Sequence, residues 1–127
     1  MAKRTNDSWM KKKCDPLFSL IVRENADYTC AVCGLKSKYV HAHHLIGKSR
    51  KFYRHNLNNG ICLCAQCHTF NAKLSAHGAP WAFEAWMRKH RPKQFKWWTK
   101  NRYQEFPGLK IDFEQVHEGL LEQRGGD

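Results

Sequence analysis

The residues best suited to chemistry in this chain are thiols and imidazoles in close order: Cys30-x-x-Cys33, His41-Ala42-His43-His44, and Cys64-x-x-Cys67-His68. Two Cys-x-x-Cys pairs separated by thirty residues meet the four-thiolate requirement of a tetrahedral structural zinc, each short pair spanning one face of the ion. Four thiolates leave no open position, so Cys30, Cys33, Cys64 and Cys67 read as a clamp that holds the fold. The histidines read differently. An adjacent pair such as His43-His44 at a strand end divides labour, one ring binding a metal and the other free to take a proton near neutral pH. On a helix Cys67 and His68 point about 100° apart, so the thiolate reaches the zinc while the imidazole faces a second ion. Asn59 precedes Gly60-Ile61-Cys62-Leu63-Cys64, where a turn amide bonds backbone across a loop and fixes the histidine-bearing segment. A regular strand places His43 and His44 on opposite faces and His41 with His43 on one, so joint use of His43 and His44 needs a bend. If the strand stays regular, His41 and His43 become the metal pair.

These groups need elements to position them. Asp15-Pro16 followed by Leu17, Phe18, Leu20 and Ile21 predicts a helix over about 15 to 25, with Pro16 in its first turn. Gly34 supplies the turn of the first cysteine knuckle. Tyr39 to Ile46 alternates as a strand, with partners in Phe52-Tyr53 and Ile61 to Leu63. His68 to about Leu74 lacks Gly and Pro and reads as a helix opening on the second knuckle. Pro80 starts a helix with Ala82, Phe83, Ala85, Trp86 and Met87 as its apolar stripe, and Pro92 ends it. A last helix near 112 to 123 docks through Phe113, Val116, Leu120 and Leu121, and Gly125-Gly126-Asp127 should fray. Cys62, between Ile61 and Leu63, reads as a small buried apolar residue, and Cys14 has no assigned role. His55, His90 and His117 read as ordinary surface or core residues, and His77 is left open.

Lys plus Arg number 22 against 11 Asp plus Glu on 127 residues, a formal charge of +11. The excess gathers in residues 1–13 and 88–102, whereas 111–127 is acidic, and such asymmetry points to a polyanionic partner. Lys48, Arg50, Lys51 and Arg54 follow the histidines and are placed to grip phosphates with salt-dependent affinity. No apolar run approaches the roughly 18 residues of a spanning helix, and the basic start MAKRTNDSWMKKK precedes no secretory apolar region. The expectation is a cytoplasmic protein, neither secreted nor in a membrane, divided into a basic flexible arm (1–13), a zinc-clamped core (14–91) and a basic, aromatic segment with a helix in the same domain (92–127).

The series Cys30-x-x-Cys33, Ala42-His43-His44-Leu45-Ile46, Asn59-Gly60-Ile61-Cys62-Leu63-Cys64-x-x-Cys67-His68 resembles the HNH endonucleases, particularly small phage-borne members with a four-cysteine zinc site, over about residues 15 to 90. The resemblance implies an α+β fold: a small ββα-metal core, two antiparallel strands and a helix gripping one divalent ion, with flanking helices. It implies that His44 is the general base, His43 the first metal ligand, Asn59 the middle asparagine and His68 the ligand at the start of the motif helix. The first ligand in that family is commonly aspartate, and a neutral His43 favours a transition metal, so Mn²⁺, Ni²⁺ or Zn²⁺ stand beside Mg²⁺ as candidate ions. The implied function is hydrolysis of DNA phosphodiesters to 5′-phosphate and 3′-hydroxyl ends, in a bacterial host cell if the protein is phage-encoded. Three alternatives stand beside it: a non-catalytic zinc-containing module that binds nucleic acid, a structure-selective recombination nuclease, and an RNA enzyme or binder using Phe95, Trp97 and Trp98.

Overall fold

The computed structural model describes residues 2–125, with backbone alone for 2–7. Its elements in chain order are α1 (Ala2–Asn25), β1 (His41–His44), a 3₁₀ turn (Leu57–Asn59), β2 (Gly60–Leu63), a π turn (Gln66–Phe70), α2 (Pro80–His90), α3 (Pro92–Asn101) and α4 (Phe113–Gly125). The architecture is α+β. β1 and β2 form one antiparallel pair with His41 opposite Leu63, Ala42 opposite Cys62, His43 opposite Ile61 and His44 opposite Gly60. α1 lies against both strands and along α4, while α2 packs on α3.

The core follows from the apolar spacing of these segments. Phe18, Ile21 and Val22 of α1, Ile61 and Leu63 of β2, Phe83 and Met87 of α2, and Trp98 of α3 are all buried in one hydrophobic core. Gly60 allows the close approach of α1 to the sheet: a Cβ there would stand 2.5 Å from Val22 Cγ2 and 2.9 Å from Phe18 Cζ. Phe113 and Leu120 of α4 are buried and Val116 packs beside them, but Leu121 faces solvent at 48% exposure, correcting its expected place in the seam. Cys62 is buried as expected.

Three expectations change. The helix expected over 15 to 25 reaches back to Ala2 and carries Pro16 in its interior, so residues assigned to the arm are helical in backbone; Met1 lies outside the described residues. The cause is tertiary: Met10 packs on the core, and Cys14 is fully buried with its thiol donating to the Phe113 carbonyl at 3.4 Å. The helix expected to run from His68 to Leu74 is a single π turn, because the Asn71 side-chain oxygen accepts the N–H groups of Lys73 and Leu74 and turns the chain out. Pro92 ends one helix and opens another, α3, as its fixed φ suits a first helical turn. Trp98 is consequently buried, and Phe95 and Trp97 are partly buried against the core. Phe52-Tyr53 lies in turns rather than pairing with β1, and of the expected fraying tail Gly126 and Asp127 lie outside the described residues. Among the described residues no helix is long and apolar enough to cross a membrane.

Candidate active site

Among the described residues two groups of side chains are arranged to hold a metal ion. The first is the cysteine clamp. Cys30, Cys33, Cys64 and Cys67 bring their Sγ atoms within 4.8 Å of one another. Cys33 and Cys64 sulfurs are 3.6 Å apart, close to the roughly 3.8 Å edge of a tetrahedron with Zn–S bonds of about 2.3 Å, so the donor set fits zinc. The first knuckle closes through Gly34 N–H to the Cys30 carbonyl at 3.0 Å and Cys30 N–H to the Leu35 carbonyl at 2.8 Å, with Gly34 at φ +79°. The Ala31 N–H donates to the Cys62 carbonyl and ties this knuckle to β2. Burial raises the Cys30 thiol, but backbone hydrogen bonds from Cys33, Cys64 and Val32 outweigh it and bring it down to about 7.

The second group is His43, His68 and His77, whose ring nitrogens also lie within 4.8 Å of one another. β1 delivers the buried His43, and the π turn delivers His68. His77 arrives because Ala76 N–H donates to the Cys67 carbonyl and His77 N–H to the His68 carbonyl, both at 2.9 Å. The fully buried Ser75 closes that loop by accepting the Gly78 N–H and donating to the Thr69 carbonyl. His43 Nδ1 and His68 Nε2 are 3.1 Å apart, matching an edge of about 3.0 to 3.4 Å for two nitrogens each about 2.1 Å from one ion. The three rings therefore fit a transition-metal ion, for which imidazole is a favoured donor. Burial first, and then the neighbouring imidazoles, lower His43 to about 3 and His68 to about 4, which keeps their lone pairs free at neutral pH.

His41 is exposed, and its Nδ1 lies 2.8 Å from His68 Nδ1, outside the triad but against its middle ring. His41 and His43 thus share a side of β1, as period two requires, with His68 between them. His44 leaves on the other side, where its ring stacks on Phe18 at 4.8 Å and 20°. It still borders the same cavity, lined by His43, His44, Gly47, Lys48, His68 and His77, because β1 ends there and the chain turns. His44 Nε2 is 3.0 Å from the Arg54 carbonyl. A carbonyl only accepts, so Nε2 carries the proton and Nδ1 keeps a lone pair. Burial holds His44 below the ordinary imidazole value despite that hydrogen bond, with Lys48 and Arg54 acting in the same direction as burial.

Asn59 is fully buried beneath this cavity. Its Oδ1 accepts the Ile46 N–H at 2.6 Å, and its Nδ2 donates to the carbonyls of Ile46 at 2.9 Å and Tyr53 at 3.1 Å. These three bonds all go to the chain that leaves β1, and a side chain with no exposed surface presents nothing to a ligand.

The four basic residues separate. Lys48 borders the cavity and Lys51 is exposed. Arg54 grips Asp15 of α1 with two hydrogen bonds at 2.9 and 2.8 Å, and Arg50 donates to the Arg102 carbonyl. His55, buried, takes the third bond to Asp15 at 2.6 Å. Burial works against ionisation of Asp15, but Arg54 and His55 overcome it and hold the carboxyl down to about 2. This Asp15–Arg54–His55 cluster fixes the loop whose Arg54 carbonyl orients His44. Nothing local in the sequence marks it, since Asp15 lies 39 residues from Arg54. His77 had only the Gly78-Ala79-Pro80 turn beside it as a signal of where the chain returns.

No curated protein and no solved structure matched the chain. A scan against protein families matched residues 30–70 to the HNH endonuclease family, a stretch running from the first clamp cysteine through both strands to the end of the π turn and holding His43, His44, Asn59 and His68, so this stretch is similar to an HNH endonuclease.

Proposed function

We propose that the protein is a metal-dependent DNA endonuclease in which His44 is the general base and His43, His68 and His77 hold one divalent transition-metal ion. The observation that carries this reading is the convergence of three imidazoles while a fourth, His44, borders the same cavity with its Nδ1 lone pair free. An ion in that position would supply Lewis-acid stabilisation of the charge that builds on the phosphate and on the leaving 3′ oxygen.

The chain's own groups do the rest. His44 Nδ1 accepts a proton from a water whose oxygen forms the new bond to phosphorus as the bond to the 3′ oxygen breaks, and the departing 3′ oxygen takes a proton from a second, solvent water, leaving 5′-phosphate and 3′-hydroxyl ends. The Arg54 carbonyl keeps the Nε2–H tautomer and the ring angle, and Asn59 fixes the backbone behind it. Lys48 and Lys51 offer free charge to flanking phosphates, whereas Arg50 and Arg54 brace the loop. Residues 14–91 carry the nuclease core in this reading, and 92–127 support it.

Nicking of supercoiled plasmid with added Mn²⁺, Ni²⁺, Zn²⁺ or Mg²⁺ tests the proposal, with His44→Ala and His44→Gln beside wild type. Gln keeps an N–H for the Arg54 carbonyl, so loss of cutting in both variants separates chemistry from support of the loop. A general base contributes roughly 10²- to 10⁴-fold, and losses of that size with unchanged zinc content and DNA affinity are expected. Wild-type rates in His44→Gln refute the assignment. DNA binding without cleavage under every metal leaves the binding-module reading.

A further inference from the structure

The loop after the proposed base does more than carry His44. Gly47 and Lys48 border the imidazole cavity, and the next residues, Ser49 to Tyr53, form one wall of a second cavity of about 360 Å³ closed on its far side by Glu105 to Ile111. Two aromatic rings sit half in water at this cavity. Phe52 is 50% and Phe106 is 42% exposed, with ring centroids 4.5 Å apart and planes at 41°, and Phe52 stands edge-on to the buried Tyr53. Leaving two such rings exposed together forfeits burial that a core would collect.

The polar groups there are mixed in sign. Arg50 lines the cavity with one guanidinium nitrogen bonded to the Arg102 carbonyl, and the other, Nη2, is buried with no acceptor in the protein. Glu105 lines the opposite wall, and Lys51 is exposed at the rim.

We infer that this cavity receives an unpaired nucleobase of the strand being cut. The inference rests on the nuclease reading above and extends it to the class of substrate. Aromatic rings stack bases of any identity, and the Glu105 carboxylate on the cavity wall is an acceptor for the N–H groups on the edge of a base. A bare phosphate is a poor occupant because Glu105 repels it, while Lys51 at the rim suits the phosphate attached to a bound base. A base inside a duplex has its faces stacked and its pairing edge occupied, so only an unpaired or extruded base can enter, and one that is already unpaired enters without the cost of extrusion. The substrate so selected is DNA with a bulge, a flap or a single-stranded stretch beside the scissile phosphate.

The test uses this chain loaded with one equivalent of zinc, enough for the cysteine clamp alone, and no other divalent ion. Its affinity is measured for a duplex and for the same duplex carrying a one-base bulge, with 2-aminopurine as the bulged base. Wild type is expected to prefer the bulge by roughly tenfold and to change the 2-aminopurine emission on binding, as one stacked base would give. In Phe52→Ala/Phe106→Ala the preference ratio should fall toward one. Because a double variant can disturb the loop, wild type is also irradiated with 5-iodouracil in the bulge. Crosslinks confined to residues 49–53 or 105–111 support the site, and crosslinks elsewhere overturn it. A ratio of one in wild type, or an undiminished ratio in the variant, also overturns it. A protein that nicks plasmid yet shows a ratio of one loses this cavity alone, and one that binds no DNA of either form loses the nuclease reading as well.

Discussion

Replacing Asn59 by alanine should unfold the candidate active site from beneath without touching any group that meets substrate. The side chain has no exposed surface and makes three hydrogen bonds, to the N–H and carbonyl of Ile46 and to the carbonyl of Tyr53. Alanine leaves all three backbone groups without a partner. At a net value of about 1 kcal/mol each the loss is about 3 kcal/mol, rising toward about 6 kcal/mol if no water reaches the stranded groups. Against a total stability of about 5 to 15 kcal/mol for a domain, that is a large share. Urea denaturation of the zinc-loaded protein should show it as a fall in midpoint of roughly 1 to 3 M at an unchanged slope. Asn59→Asp keeps the shape, loses both N–H donors and turns a carboxylate on two carbonyl oxygens, so it should cost at least as much. An asparagine that acted by touching substrate would lose activity in both variants at a normal midpoint. A midpoint within experimental error of wild type would therefore refute the positioning role.

Cys64→Ser should abolish stoichiometric zinc, measured by chelator release, and collapse the far-ultraviolet dichroism, since one thiolate is lost from a four-ligand clamp. His77→Ala should leave that zinc in place and weaken Ni²⁺ or Mn²⁺ binding in calorimetry by no less than the roughly 10- to 100-fold that loss of a mere outer partner costs; unchanged affinity would remove His77 from the triad. Asp15→Asn should lower the urea midpoint at pH 7 by unpairing Arg54 and His55. The Asp15 carboxyl is depressed from 3.8 to about 2 on folding, so its contribution is fully present above about pH 4 and is lost as pH falls toward 2. A His55→Gln background removes the imidazole's own titration. In that background the stability gap between the protein that keeps Asp15 and the one that also carries Asp15→Asn should stay level from pH 8 to 5, and a gap that closes in that range contradicts the pairing.

The parts of the fold that could be read from the sequence are those whose causes are local. Cys-x-x-Cys closes its knuckle within four residues, the Pro80 helix carries its own start signal and stripe, and the β1–β2 pair shows in the run of alternating and apolar residues on either side of a basic loop. What escaped depends on partners far along the chain. Pro16 reads as a helix start until Cys14 is seen buried against Phe113, 99 residues away. Arg54 and Arg50 read as phosphate grips because a basic loop looks solvated, and only the fold brings Asp15 and the Arg102 carbonyl to them. His77 belongs with His43 and His68 through two backbone hydrogen bonds of the return loop, which no spacing rule encodes.

The two candidate metal groups are distinct in their ligands and continuous in their backbone. Cys67 and His68 are neighbours in one π turn, and the carbonyls of the same two residues accept the N–H groups of Ala76 and His77. The other knuckle is bonded to β2 through Ala31 and Cys62, and β2 is paired residue for residue with the strand that carries His43 and His44. A zinc held by these four thiolates would thus fix the two ends of the frame from which His43, His44 and His68 project. That frame matters because the rings hold one another only through a contact such as His43 Nδ1 to His68 Nε2 at 3.1 Å, while burial and the neighbouring rings oppose protonation of His43 and His68. With zinc bound, the cysteine clamp would therefore supply, before any substrate or second ion binds, a rigidity that a hydrogen bond between two of the rings cannot supply alone.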